Sequence, residues 1–205
     1  VEDQWQASQE LQLNYRTDRT DVVAGLFYFR ENSSLDASIF LPALGLALFG
    51  GPILSSDVVT TVDTTAWAAF GQVTYALREN VNITGGIRYS HEEKEIDQMT
   101  GLRIGGPFLN PSPFGDRDSW GAWTPKLSVD LSIRDGLMIY GSASRGFKSG
   151  GYNFSVSQTS FDPEYLRAYE VGFKAELPGG RARLNGAAFY YDYSDLQVQQ
   201  FVTAE

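Results

Sequence analysis

Apolar and polar positions alternate with a period of two along most of this chain. In 66–78, one face carries only apolar residues and the other is mostly small or polar, with Phe70 as the exception. The alternation recurs in 81–92, 120–133, 164–177 and 181–194, and three other segments are strand-like, at 5–16, 21–31 and 137–147. Because successive side chains of a β-strand point to opposite faces, the pattern predicts an all-β fold of about eight long strands.

The connections between these segments alternate between short and long. Tight turns are predicted at 18–20, 78–80, 134–136 and 178–180. Long, irregular outer loops are predicted near 33–61, 97–118 and 148–163. In an antiparallel meander this places all short turns at one end of the sheet, as in transmembrane β-barrels with short periplasmic turns. A soluble β-sandwich is the alternative, and it accounts less well for the long strands and the asymmetry of the loops.

Strand directions add an expectation about the whole barrel. With the short turns in the periplasm, the first strand runs inward and the last of an even number runs outward. Both chain ends then lie on the outer side, whereas complete bacterial barrels normally end in the periplasm. We therefore expect residues 1–205 to form a partial barrel domain that is an internal piece of a larger barrel, without a signal peptide or plug.

Composition narrows the function classes. The chain of 205 residues has a formal net charge of -9, which argues against binding to nucleic acid phosphates. It has no cysteine, which excludes disulfides and thiolate metal sites. The apolar segment 39–54 is shorter than the roughly 20 residues of a membrane helix and contains Pro42 and Pro52. We interpret 39–54 as an outer loop that contacts the ligand or closes over it.

Aromatic residues lie near the ends of several apolar faces. Membrane barrels carry such aromatics at the level of the lipid headgroups, although aromatic residues also favour any β-strand. The predicted girdle consists of Trp67, Tyr89, Trp123, Tyr169 and Tyr190.

Several segments together resemble the TonB-dependent outer-membrane receptors. Their order and spacing carry the resemblance more than any one motif does. These segments are Gln9–Leu13, Val23–Glu31, Arg145–Asn153, Phe161–Glu164, Ala168–Lys174 and Leu184–Val198. The resemblance implies a 22-stranded antiparallel transmembrane β-barrel, with a plug inside it, that imports a scarce ligand such as a ferric siderophore. It also implies five partners, namely outer-membrane lipid, lipopolysaccharide, the receptor's own plug, the TonB complex and the small-molecule ligand.

Two groups of candidate residues follow. The predicted ligand contacts at the outer rim are Arg145, Phe147, Lys148 and Tyr152. The predicted lumen residues, which would contact the plug, are Arg88, Lys126, Asp130, Glu170, Lys174 and Arg183. Arg145 and Lys148 can alternatively pair with Asp162 or Glu164 across the loop.

Other chemistry is poorly supported. We interpret His91–Glu95 as a solvated charged strand end rather than a metal site, since one histidine without cysteine makes a poor transition-metal site. No nucleophile elbow or phosphate-binding glycine loop appears, so we expect no enzyme and no cofactor. A passive porin-like channel and a soluble binding module remain the alternatives to a receptor.

Overall fold

A computed structural model describes residues 1–41, 54–104, 106–153, 160–177 and 182–198. Eight strands form one antiparallel meander in the order β1-β2-β3-β4-β5-β6-β9-β10, and β7 pairs with β8 separately. The strands are β1 Glu2–Arg16, β2 Thr20–Phe40, β3 Leu54–Arg78, β4 Val81–Ile104, β5 Ser112–Arg134, β6 Leu137–Lys148, β7 Gly151–Tyr152, β8 Ser160–Phe161, β9 Glu164–Glu176 and β10 Arg183–Ser194. The sheet is open, so the predicted partial barrel of about eight strands is confirmed. Within the described ranges, no helix is long and apolar enough to cross a membrane.

Three of the four predicted tight turns lie within the described residues. They connect β1 to β2, β3 to β4 and β5 to β6, and Gly136 has a positive φ of 73° in the last of them. The left-handed conformation at this position favours glycine, which has no Cβ to clash with the backbone. The predicted turn at 178–180 lies outside the described residues.

The predicted outer loops are partly wrong, because strands continue through them. β2 and β3 extend through 33–40 and 54–61, and β4 and β5 extend through 97–104 and 112–118. Residues 58–62 are Val and Thr throughout, which favour strands, and β3 is hydrogen-bonded to a neighbour on both sides there. The loop predicted at 148–163 contains the β7–β8 pair. Residues 42–53 and 154–159 lie outside the described part of the chain.

The strand register gathers the apolar side chains into a band on one face. One row across the sheet runs through Tyr15, Val22, Val73, Gly85, Leu127, Ala143, Tyr169 and Tyr190. On β3 the band runs from Trp67 to Leu77. At about 3.3 Å per residue and a tilt of about 40°, that length spans roughly 25 Å, the height of the apolar band of a membrane barrel. We call this the outer face and the opposite one the inner face.

Aromatic rings end the apolar band on the three central strands. The ring centroids of Trp67 and Tyr89 lie 5.4 Å apart, and those of Tyr89 and Trp123 lie 4.9 Å apart. The predicted pair Tyr169 and Tyr190 lies on the same face with centroids 6.5 Å apart. Beyond the rings of Trp67, Tyr89 and Trp123, the outer face becomes charged at Glu93, Glu95 and Arg117. This change from apolar to charged marks the upper membrane boundary.

Candidate functional site: the outer vestibule

A small buried core lies beyond the membrane band, on the inner face of the extended strands. It consists of Val62, Ile96, Trp120 and Tyr152, each less than one-tenth exposed. The first three come from β3, β4 and β5, and Tyr152 comes from β7. Phe114 and Phe147 pack against these four residues. Burial of this core fixes the chain after β6 against the inner face, and we call the enclosed region the outer vestibule.

The chain reaches the vestibule because β6 separates from β5. β5 pairs with β4 up to Ser112, but its pairing with β6 ends at Lys126 and Ser144. Beyond that point, β6 pairs only with β9. Residues 149–152 are therefore free to cross the inner face.

A half-buried ion pair holds this crossing segment. Lys94 Nζ lies 3.0 Å from Glu92 Oε1 and donates a hydrogen bond to the carbonyl oxygen of Gly150 at 2.9 Å. It also donates to Ser149 Oγ at 3.3 Å, and the Ser149 hydroxyl donates to Glu92. The Lys94 and Glu92 side chains are 23% and 27% exposed, so solvent screens this pair less than it screens surface pairs. Glu92 and Lys94 thus anchor residues 149–150.

Glycine is required where the crossing segment passes Trp120. A Cβ on Gly150 would lie 2.3 Å from the carbonyl oxygen of Phe161 and 2.4 Å from the Trp120 ring. No side chain fits there without displacing the backbone. Close packing against Trp120 and the backbone of Phe161 is therefore the reason for glycine at position 150.

Three further hydrogen bonds fix the crossing segment and the chain that returns from it. Ser160 Oγ donates to Asp118 Oδ2 at 2.8 Å. Gln197 Nε2 donates to the carbonyl oxygens of Asp162 at 2.9 Å and Ser149 at 3.3 Å. Strand β5 and the chain after β10 therefore share the support of the vestibule.

Burial changes the acidity of the Tyr152 phenol. Desolvation, together with the nearby carboxylates of Asp116 and Asp118, raises the pKa of Tyr152 to about 12. The phenol is therefore neutral at physiological pH.

Two adjoining cavities occupy the vestibule. One has a volume of about 470 Å³ and extends from Arg88 to the underside of residues 147–149. The other has a volume of about 420 Å³ and lies beneath Tyr152 and Phe161. Phe29 and Glu92 line both, so the cavities are neighbours on the inner face. Aromatic walls with a few charged groups are typical of small-molecule binding sites.

The structure brings together three of the four predicted ligand contacts. Phe147 and Lys148 line the larger cavity, and Tyr152 lines the smaller one. Lys148 Nζ also lies 4.0 Å from Glu164, as the alternative pairing predicted.

Arg145 does not belong to this group. It pairs in register with Arg167, on the face that carries Ala143 and Tyr169, and its guanidinium lies 4.3 Å from the Tyr165 ring centroid.

All six predicted lumen residues lie on the inner face. Among them, Glu170 accepts a hydrogen bond from the Tyr140 hydroxyl at 2.6 Å, and Lys174 Nζ lies 5.8 Å from the Tyr140 ring centroid. Arg183 Nε lies 3.7 Å from Glu176. Register places the six on β4, β5, β9 and β10 as Arg88, Lys126, Asp130, Glu170, Lys174 and Arg183.

The interpretation of 91–95 as a solvated strand end was wrong for Glu92 and Lys94, which anchor the crossing segment. It holds for Glu93 and Glu95, which pair with Arg117 on the exposed outer face. That acidic pair raises the pKa of Arg117, chiefly through the hydrogen bond to Glu95. The period of two separates these four residues between the faces. Within the described residues, no group of three or more metal-ligating side chains is assembled.

The long strands, the apolar outer face and the charged inner face define a segment of a transmembrane β-barrel. Residues 2–204 match the family described as TonB dependent receptor-like, beta-barrel. The chain therefore belongs to the TonB-dependent receptors and lies in the outer membrane of a Gram-negative bacterium.

Relatives and a solved structure agree with this assignment. The pesticin receptor of Yersinia pestis is 29% identical over 182 residues, which cover 87% of this chain and 25% of that protein. The metal-pseudopaline receptor CntO of Pseudomonas aeruginosa strain UCBPP-PA14 is 34% identical over 85 residues, covering 40% of this chain and 12% of CntO. The crystal structure of the ferric yersiniabactin uptake receptor FyuA from Yersinia pestis superposes with a TM-score of 0.79 at 25% identity, covering 97% of this chain and 30% of that one. The chain thus spans about a quarter of the pesticin receptor.

Proposed function

We propose that this chain is part of a receptor that binds a ferric siderophore and imports it across the outer membrane. In this proposal a plug domain fills the complete barrel, and the TonB complex supplies the energy. Lipid and lipopolysaccharide surround the outer face. The chain itself contributes one wall of the ligand vestibule and no enzymatic step.

The outer vestibule is the observation that carries this proposal. Its aromatic and charged lining lies beyond the membrane band on the inner face, where a ligand arriving from outside reaches the barrel first. The names of the relatives support iron or metal chelates as the cargo, since they describe a ferric yersiniabactin receptor and a metal-pseudopaline receptor. The family supports the dependence on TonB.

Uptake by the full-length receptor tests the proposal. The gene is expressed in a Gram-negative strain that lacks its own ferric-siderophore receptors, and radiolabelled iron is supplied as a panel of siderophore complexes. We expect accumulation of iron from at least one complex, and only when the receptor and TonB are both present. Uptake that persists without TonB would indicate a passive channel. Failure of every iron complex would show that the cargo is of another class.

A further inference from the structure

The sheet opens between β5 and β6 near the upper membrane boundary. Pairing between these two strands ends at Lys126 and Ser144, and Pro125, the next residue of β5, has no N–H group with which to extend it. Arg145, the next residue of β6, pairs with β9 alone. A groove of about 360 Å³ lies where the two strands part. Its lining includes Pro125, Leu127, Ala143, Arg145, Arg167 and Tyr169.

The groove lies on the outer face, which contacts lipid. Leu127, Ala143 and Tyr169 belong to the row of apolar side chains that crosses this face. Arg145 and Arg167 lie two residues further out, immediately beyond the predicted girdle residue Tyr169. That position is at the level of the lipid headgroups, where the stem of an arginine packs on apolar surface while its charged end reaches polar groups.

Two arginines lie directly opposite each other at the outer end of the groove. Arg145 and Arg167 are partners in the β6–β9 register, and like charges in such a pair destabilise a sheet. Asp192 lies 3.7 Å from Arg167 and offsets one of the two charges. The Arg145 guanidinium lies 4.3 Å from the Tyr165 ring centroid, but within the described ranges it has no carboxylate at ion-pair distance. One cation beside the apolar groove therefore lacks a counterion.

The charge and the apolar lining together determine what kind of molecule fits the groove. A guanidinium binds a phosphate group through two parallel hydrogen bonds. A free phosphate ion would use only the charged end of the groove, and a neutral lipid would leave that charge without a partner. A phosphate attached to acyl chains matches both ends. In the outer leaflet of a Gram-negative outer membrane, the molecule with this chemistry is lipid A, the anchor of lipopolysaccharide.

We propose that the groove between β5 and β6 is a binding site for lipid A, with one phosphate held between Arg145 and Arg167. One acyl chain lies in the groove against Leu127, Ala143 and Tyr169. The bound lipid then covers the place where the β5–β6 ladder ends. The groove and the vestibule lie on opposite faces of the sheet, so this inference does not depend on the cargo of the receptor.

Titration of the full-length receptor with lipid A tests the site. The receptor is purified in detergent and freed of lipid A, and binding is measured by native mass spectrometry. The probes are lipid A, the same lipid without its phosphates, and the phosphorylated disaccharide without its acyl chains. We expect tight binding of intact lipid A alone. We expect Arg145→Gln to weaken it at least about tenfold. Arg145→Lys should retain part of the affinity, because lysine keeps the charge but not the two parallel hydrogen bonds.

Two further variants separate the charge from the apolar contact. Arg19→Gln removes an exposed cation from the turn between β1 and β2, at the opposite end of the sheet. We expect this variant to bind lipid A as the wild type does. Ala143→Phe keeps both arginines and fills the groove. We expect it to lose affinity for lipid A although the charge of the receptor is unchanged.

Five results would overturn the inference. Equal affinity of the wild type for lipid A with and without phosphates would show that the arginines do not recognise the lipid. Equal affinity for the disaccharide without acyl chains would indicate a phosphate site rather than a lipid site. Equal losses in Arg19→Gln and Arg145→Gln would indicate attraction by overall charge. Unchanged lipid A binding with a lower melting temperature in Arg145→Gln would indicate a structural role. A receptor dimer that dissociates in Arg145→Gln would assign the groove to a second copy.

Discussion

At the residue scale, several glycines lie beneath aromatic rings of the neighbouring strand. A Cβ on Gly172 would lie 2.7 Å from two atoms of the Tyr140 ring and 2.7 Å from the carbonyl oxygen of Gly186. The Tyr140 hydroxyl is held by Glu170, so the ring cannot move away without losing that hydrogen bond. Gly71 offers a contrast, because a Cβ there would meet no atom within 4 Å.

We expect Gly172→Ala to destabilise the full-length receptor by about 1–3 kcal/mol, since an overpacked site must shift the ring and the backbone. Gly71→Ala is the matched control. It should be neutral or stabilising by up to about 1 kcal/mol, because alanine loses less backbone entropy than glycine on folding. Thermal unfolding of the purified receptor in detergent measures both. Equal melting temperatures for the two variants would show that the Tyr140 ring and the Gly186 carbonyl do not crowd position 172.

The Tyr152 phenol provides a test of the vestibule core through pH. Its pKa is raised to about 12 in the folded protein, against about 10 for an exposed tyrosine. The raised pKa contributes stability that is fully present below about pH 10 and is lost as pH rises towards about 12, since the unfolded phenol ionises first.

We expect the tyrosinate difference spectrum between the wild type and Tyr152→Phe to show one group titrating near pH 12. We also expect the wild type to lose more stability than Tyr152→Phe between about pH 10 and 12. A titration midpoint near 10 would mean that Tyr152 is exposed to solvent rather than packed in the buried core of the vestibule.

At the scale of the element, β5 passes from the membrane into the outer vestibule along one continuous strand. Its outer face is apolar from Trp123 to Ile133 and charged or polar from Ser119 to Arg117. Leu127 lies near the middle of the apolar stretch, and Ser119 lies beyond the aromatic rings that end the apolar band. Both residues have the same parity, so they differ in depth and not in face.

Substitution with arginine at these two positions tests the membrane boundary. We expect Leu127→Arg to cost about 2–4 kcal/mol and Ser119→Arg about 0–1 kcal/mol, since the penalty for a charge facing lipid falls towards the interface. Denaturant unfolding of the full-length receptor in lipid vesicles gives both values. A larger cost at Ser119 would place the boundary further out than the rings of Trp67, Tyr89 and Trp123.

The faces of these strands could be predicted from the sequence, because a period of two is a local signal. The positions at which strands end on the outer side could not be predicted, since the alternation continues unchanged after a strand leaves the lipid. The anchor of the vestibule also has no local signal. Lys94 and Ser149 meet across 55 positions, and only the separation of β6 from β5 brings them together.

At the scale of the whole molecule, the sheet is held by pairing between strands that are neighbours in sequence, except where β9 joins β6. Its two outermost strands, β1 and β10, each have one partner within the described residues. In a complete barrel, further strands pair with these edges. The residues that support the vestibule lie within this segment. The stability of the sheet in lipid depends in addition on the strands that pair with its two edges.

The open edges lead to a prediction about the 205-residue polypeptide by itself. Each backbone group left unpaired in hydrocarbon costs several kcal/mol, and an edge strand exposes about half of its groups, so β1 and β10 together cost on the order of tens of kcal/mol. That exceeds the roughly 5–15 kcal/mol by which folded proteins are stable. We therefore expect this polypeptide to form no monomer with heat-modifiable gel mobility in lipid vesicles, under conditions in which the full-length receptor does. A heat-modifiable monomer rich in strand by circular dichroism would show that the segment closes its own edges, and that the remaining strands are needed for transport rather than for folding.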